Sequence, residues 1–398
     1  MSIETEAVST ADVPTTAVPR QPGPEPEAAP EPEAAPEPEA APQPPEAGNR
    51  LYILDLLRFC AALSIVAYHF IPSSAGAWGG DDAAFSGPLK DVLQYAWLGV
   101  EAFFVISGFV ICMSSWGRTP SQFFVSRVTR LMPAYMFAVL ATAAVLTLVP
   151  VLRERPKVPD VLINLTMLNR FVNVPGVDSV YWTLFVELKF YLLFAVVVAF
   201  GVTYRRVVLF CMLWIVVALF SMYTGSQFLN AIFEPFYAAF FVAGITLYLI
   251  HRFGPDLLLW CMLGISVAIA MSNLAQRDPV KRGINSYGVT LVLMLVFILI
   301  MVAVSLGWFR WVRWRGLVTV GALTYPLYLL HHNIGLTAIK KLHDRMPPWL
   351  LLAAAVAGVL LLSYLTYRLV ERPLAKRLRR GLQEGFAKIR AAEPARIR

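Results

Sequence analysis

The chain has 398 residues, 58% hydrophobic and only 15% charged, with a formal net charge of +8. That balance excludes a soluble globular protein and places the chain among integral membrane proteins. The charge is divided: residues 1–49 hold ten acids and one base, while residues 50–398 hold 33 bases and 16 acids. A basic membrane domain suits anionic headgroups or an anionic substrate. It does not suit nucleic acid, because the bases are spread over many short loops without a basic surface domain.

Residues 1–49 contain no apolar core segment of the kind a cleavable signal needs, so the first spanning helix is expected to act as the insertion signal. Residues 22–45 repeat PEPEAA. Proline blocks helix and sheet and the glutamates repel one another, so 1–49 reads as a disordered, extended tail.

Ten apolar segments follow, at 51–71, 93–114, 131–151, 181–201, 205–222, 228–250, 257–274, 285–307, 316–338 and 348–371. Each approaches the roughly 20 residues that a helix needs to cross a bilayer. No period-2 pattern of a barrel appears, so the expected fold is all-α, a polytopic bundle of about ten transmembrane helices over 50–375. The Lys and Arg bias predicts the orientation. One side of the membrane carries 21 bases, counting both tails, and the other 11. Both termini are therefore expected in the cytoplasm. The basic segment 376–398 reads as an interfacial helix, or more plainly as a positive-inside anchor.

The first span, LDLLRFCAALSIVAYHF (54–70), carries Asp55, Arg58 and His69. Ionisable groups in a span cost several kcal/mol and normally face the bundle interior. Arg58 and His69 are eleven residues apart, which returns them to one helix face about 16 Å apart along the axis. They mark two levels of one interior path. For Arg58, an ion pair with Asp55 at i,i+3 is the plainer alternative; for His69 it is a satisfied interhelical hydrogen bond.

With the N-terminus inside, Glu101 in GVEAFFVISGF, Glu187 in YWTLFVELKFYLL and His331 in YPLYLLHHN all fall at the outer level with His69. A histidine beside carboxylates is a sound general-base arrangement. Arg127, Arg130, Arg313 and Arg315 gather at the inner mouth, where arginine forks match phosphates. Their plainer reading is positive-inside bias. No metal site is expected, since His331 and His332 are adjacent rather than i,i+4. Cys60, Cys112, Cys211 and Cys261 sit in apolar runs without a CxxC and read as small buried residues. Interior charges on several helices equally suit the substrate pathway of a transporter or flippase, which remains the alternative class.

Six motifs, in order, resemble those of the acyltransferase-3 family of membrane O-acyltransferases. They are Arg58 with His69; GVEAFFVISGF (99–109); Arg127, Arg130, Leu131, Pro133 and Tyr135; WTLFVELKFYLL (182–193); YPLYLLH (325–331); and Glu371, Arg372, Pro373. Three departures are small: Glu101 where Asp is frequent, Lys189 where Gln is frequent, and Pro326 where Ser is common. The resemblance implies transfer of an acyl group, usually acetyl, from acyl-CoA to a hydroxyl of a surface glycan or glycosylated metabolite, in a bacterial plasma membrane. It implies His69 as general base, with Arg58, Glu187, Glu101 and His331 around the reaction, Glu187 or Glu101 orienting the imidazole. Arg127, Arg130, Tyr135 and Arg313 are then expected to hold the acyl-CoA donor, without a metal. Ser107 is the alternative nucleophile for a covalent route, its plainer reading being a packing residue. The outer loops do not decode to an acceptor.

Overall fold

The computed structural model describes residues 51–80 and 84–392, which are helical with short turns and contain no strand. The acidic tail lies outside the described residues. In chain order the helices are α1 (Tyr52–Phe70), α2 (Pro88–Leu93), α3 (Gly99–Ser115), α4 (Pro120–Leu148), α5 (Val158–Leu165), α6 (Trp182–Ala199), α7 (Tyr204–Thr224), α8 (Gln227–Phe233), α9 (Pro235–Phe253), α10 (Leu257–Leu274), α11 (Asp278–Lys281), α12 (Tyr287–Ser305), α13 (Gly316–Leu330), α14 (His332–Leu342), α15 (Pro348–Thr366) and α16 (Arg372–Ala392). Among the described residues, nine helical stretches are long and apolar enough to cross a membrane, and the shorter α13 adds an apolar tenth. The protein is a polytopic all-α membrane bundle.

Burial separates the helices into two kinds. In α9 every residue from Ala238 to Ile250 is buried. By contrast α7, α10 and α12 expose Leu209, Val216, Ile265, Val292 and Leu299, the apolar surface that a helix offers to lipid. A close crossing joins α3 to α9. A methyl group on Gly108 would collide with the carbonyl of Phe241, and one on Gly244 with the carbonyl of Val105. Without a hydrophobic force between helices in lipid, such small-residue contacts let two backbones touch along their length. The glycine of the SGF triplet thus has a packing reason. A similar approach seats Asp55 of α1 against Gly321 of α13, where an added Cβ would lie 2.5–2.7 Å from the carboxylate side chain.

Two of the element boundaries that differ from the sequence reading matter for the site. The expected span 131–151 is the second half of a longer helix. Thr119 and Gln122 form a capping box, with the Gln122 amide donating to Thr119 Oγ1 (3.3 Å) and Gln122 Oε1 accepting from the Thr119 amide (3.0 Å). Pro120 follows at the first helical position, so the helix starts eleven residues earlier than its apolar run. Arg127 and Arg130 are therefore fixed on a helix rather than carried by a loop.

The expected span 316–338 is two helices, α13 and α14, with a break at His331. Pro326 removes one helical N–H within α13. At the break the His331 ring nitrogen Nδ1 donates to the carbonyls of Leu327 (3.1 Å) and Tyr328 (2.8 Å). A side-chain donor thereby satisfies acceptors at the end of α13. Lys189 is also accommodated: it ion-pairs with Glu234 at 2.5 Å.

Candidate active site

Two cavities lie along α1. The first, of roughly 310 Å³, opens between α1, α3, α4, α6 and α13, with Arg379 of α16 at its rim. Four arginines (Arg58, Arg127, Arg130, Arg379) and a single acid, Glu187, line it, so its interior favours an anion. Arg127 donates to Ser126 Oγ (2.9 Å) and lies over the rings of Phe123 and Tyr191, both 5.8 Å from the centroid. Its buried Nε has no protein partner. Arg130 pairs with Glu371 at 2.6 Å, which ties α4 to the junction of α15 and α16 through a π-helical turn, Tyr367–Glu371. Arg58 lines the cavity, within electrostatic reach of Glu187, Tyr191 and Asp55. Glu187 accepts hydrogen bonds from Ser107 (3.0 Å) and Tyr191 (2.5 Å).

The second cavity, roughly 360 Å³, contains His69. Its walls are Tyr68, Trp97, Trp182 and Tyr328, with Arg277 and Asp278. Val100 and Tyr328 line both cavities, so the two spaces are neighbours. The Tyr328 hydroxyl is held by Thr183 (2.7 Å) and the Val180 carbonyl (3.0 Å).

Around His69 the histidines form a cluster. His69 Nδ1 lies 3.0 Å from His331 Nε2. The His332 ring meets His69 edge-on at 4.6 Å between centroids. His332 Nδ1 lies 2.8 Å from Asp178 Oδ1, and Asp178 Oδ2 accepts from the Asn333 amide at 2.9 Å. Asp178 thus receives the first turn of α14, where an acid is favoured by the helix dipole. That contact sets the position of the neighbouring His331.

The hydrogen bonds also select tautomers. Carbonyl oxygens only accept, so His331 carries its proton on Nδ1, and in the neutral ring Nε2 is an acceptor. His69 must then donate from Nδ1. This leaves the His69 Nε2 lone pair without that partner, on a ring that lines the second cavity.

Several expectations about site residues are corrected by this geometry. Of the four residues expected at one level, His331 touches His69 and Glu101 pairs with Arg277, which lines the His69 cavity, whereas Glu187 lines the other cavity. Glu187 lies five residues, about 7.5 Å, along α6 from Trp182 and belongs to the arginine cavity. Glu101 is wholly buried and is claimed by Arg277, which also donates to the Tyr237 hydroxyl at 2.5 Å and lies over the Tyr237 ring. Neither glutamate orients the imidazole. Tyr135 is buried with its hydroxyl donating to the Asn164 carbonyl (2.8 Å), away from both cavities. Arg313 is exposed on a turn and bonds the Arg310 carbonyl (3.3 Å), also outside both cavities.

Asp178, His332 and Arg277 escaped the sequence reading. For Asp178 there was a signal, an acid just before the apolar run of α6, but its partners are more than 150 residues away.

A family model described as an acyltransferase domain matches residues 51–368, which takes in both cavities except Arg379. The chain belongs to the acyltransferase-3 family. It is a multi-pass membrane acyltransferase. Neither the search of curated proteins nor the search of solved structures found a match.

Proposed function

We propose that this acyltransferase moves an acyl group, of acetyl size, from acyl-CoA to a hydroxyl of a sugar-containing acceptor. The observation that supports the reading is the juxtaposition of an anion-favouring cavity and a cavity lined by His69, which share Val100 and Tyr328 in their walls. The donor enters at the arginine end, which we place on the cytoplasmic side from the Lys and Arg bias. Arg127 and Arg130 meet donor phosphates, with Arg58 farther along the thiol arm. The aromatic walls of the second cavity, Trp97 and Trp182 beside Arg277 and Asp278, suit a glycoside with apolar ring faces and polar edges.

In the transfer, His69 Nε2 takes the proton of the acceptor hydroxyl as its oxygen attacks the thioester carbonyl carbon. The carbon–oxygen bond forms, the tetrahedral intermediate collapses, and the carbon–sulfur bond breaks. The proton on His69 passes to the leaving thiolate, giving free thiol and acyl ester. His331 accepts from His69 Nδ1 throughout and keeps Nε2 aimed into the cavity. Asp178 carries the buried negative charge of the cluster and, through His332 and the start of α14, holds His331 in place. The direct route needs no serine nucleophile. Ser107 donates to Glu187 (3.0 Å).

The test is thiol release from acetyl-CoA by purified protein in lipid vesicles supplied with a pool of glycosides. Wild type should release thiol only with an acceptor present, and His69→Ala should not. Acceptor-dependent release that survives His69→Ala removes the base from this scheme.

A further inference from the structure

The family match ends at residue 368, and α16 begins at Arg372. α16 therefore lies beyond the matched residues, although Arg372 and Pro373 at its root belong to the last of the six motifs, and the sequence reads the segment from 376 only as an interfacial anchor. In the structure it lies along the start of α4. The Phe386 ring meets Phe124 edge-on, 6.1 Å between centroids, and the Arg130–Glu371 pair fastens its root.

Between α16 and the first turns of α4 is a third cavity, of roughly 550 Å³. Arg118, Gln122 and Ser126 line it from one side, and Arg379, Gln383 and Phe386 from the other. Ser126 and Arg379 also line the arginine cavity, so the two spaces adjoin. No acid is among the residues lining this third cavity. Arg118, half-buried, is pushed below the ordinary arginine range by burial and then by the charges of Arg127 and Arg379. Cations held together without a carboxylate among them are stabilised by a bound anion, and guanidinium forks match phosphate oxygens.

We infer that this cavity takes the phosphorylated nucleotide end of the acyl donor, with Arg118 and Arg379 on its phosphates and Phe386, Gln122 and Gln383 beside its base. α16 is then a wall of the donor site and not only an anchor. The inference rests on the acyl-CoA reading for the identity of the donor. The same phosphate chemistry is offered by anionic lipid headgroups, and the experiment separates the two.

The full chain is reconstituted in nanodiscs of phosphatidylcholine alone, and equilibrium binding of adenosine 3′,5′-bisphosphate is measured for wild type, Arg118→Gln and Arg379→Gln. The probe has no thiol arm and needs no turnover. Wild type is expected to bind it, and each variant to bind on the order of 10–100-fold more weakly, the worth of one charged hydrogen-bonding contact. Thermal unfolding of the variants close to that of wild type shows that they are folded. No binding by wild type, or equal binding by folded variants, overturns the inference. Wild-type binding abolished by phosphatidylglycerol at constant ionic strength assigns the cavity to lipid headgroups and overturns it too. Nucleotide binding without any acyl transfer from acetyl-CoA would leave this site standing while removing the proposed function.

Discussion

The two ends of the path past Tyr328 are built on opposite principles. At the histidine end, polar groups are tied to one another: His69 to His331, His331 to two carbonyls, and His332 and Asn333 to Asp178. Such a network fixes tautomer and direction before any substrate arrives, as a general base requires. At the arginine end the charges outnumber their partners. Four arginines share one lining acid, and Arg127 keeps a buried nitrogen unpaired. That arrangement suits an anion. In the proposed function, one end does the chemistry and the other binds the donor.

If that contrast is right, substitutions at the two ends should separate turnover from affinity. His69→Ala should give the largest effect. Loss of a general base lowers kcat by about 10²–10⁴-fold, while acetyl-CoA affinity stays near wild type. Asp178→Asn comes next. It keeps the shape of the group but removes the buried charge, so kcat should fall by about 10–100-fold with donor KM unchanged. A rise in donor KM instead would show that the histidine cluster takes part in binding.

Arg127→Ala should do the reverse, raising donor KM by roughly tenfold or more with little change in kcat at saturation. Steady-state kinetics over a range of acetyl-CoA concentrations decide it. The smallest effects belong to residues outside both cavities. Arg313→Ala, on an exposed turn, should leave kcat and KM unchanged, and stability within about 0.5 kcal/mol. Tyr135→Phe should also spare activity but cost about 1 kcal/mol of stability, because it removes a buried hydrogen bond to Asn164. Thermal unfolding in detergent reads the second, and a loss of activity in either would return it to the donor site.

The outline of the bundle was legible because bilayer thickness sets helix length, and each expected apolar segment is helical, although 228–250 and 316–338 are each divided between two helices. The two levels marked by Arg58 and His69 were legible as well, since eleven residues on a helix fix both face and rise. The partners were not. Which carboxylate belongs to which cation depends on helices far apart in sequence. Glu101 meets Arg277 across 176 positions, and Asp178 meets His332 across 154. Helical depth alone cannot tell Glu187, which faces Ser107 and Tyr191, from a group that faces His69. The break at His331 was hidden for a related reason: a side chain ends α13, and hydropathy is blind to it. The early start of α4 is the exception. Thr119, Pro120 and Gln122 spell a capping box, but the polar run that follows masked it.

The most direct test of the division between the two ends is a paired measurement on His69→Ala and Arg127→Ala in the same vesicles, recording equilibrium binding of labelled acetyl-CoA together with acceptor-dependent thiol release. The account predicts that His69→Ala binds donor like wild type and releases no thiol, while Arg127→Ala binds weakly and recovers release as donor is raised. Donor binding lost in His69→Ala, or release from Arg127→Ala that stays low at saturating donor, would contradict it.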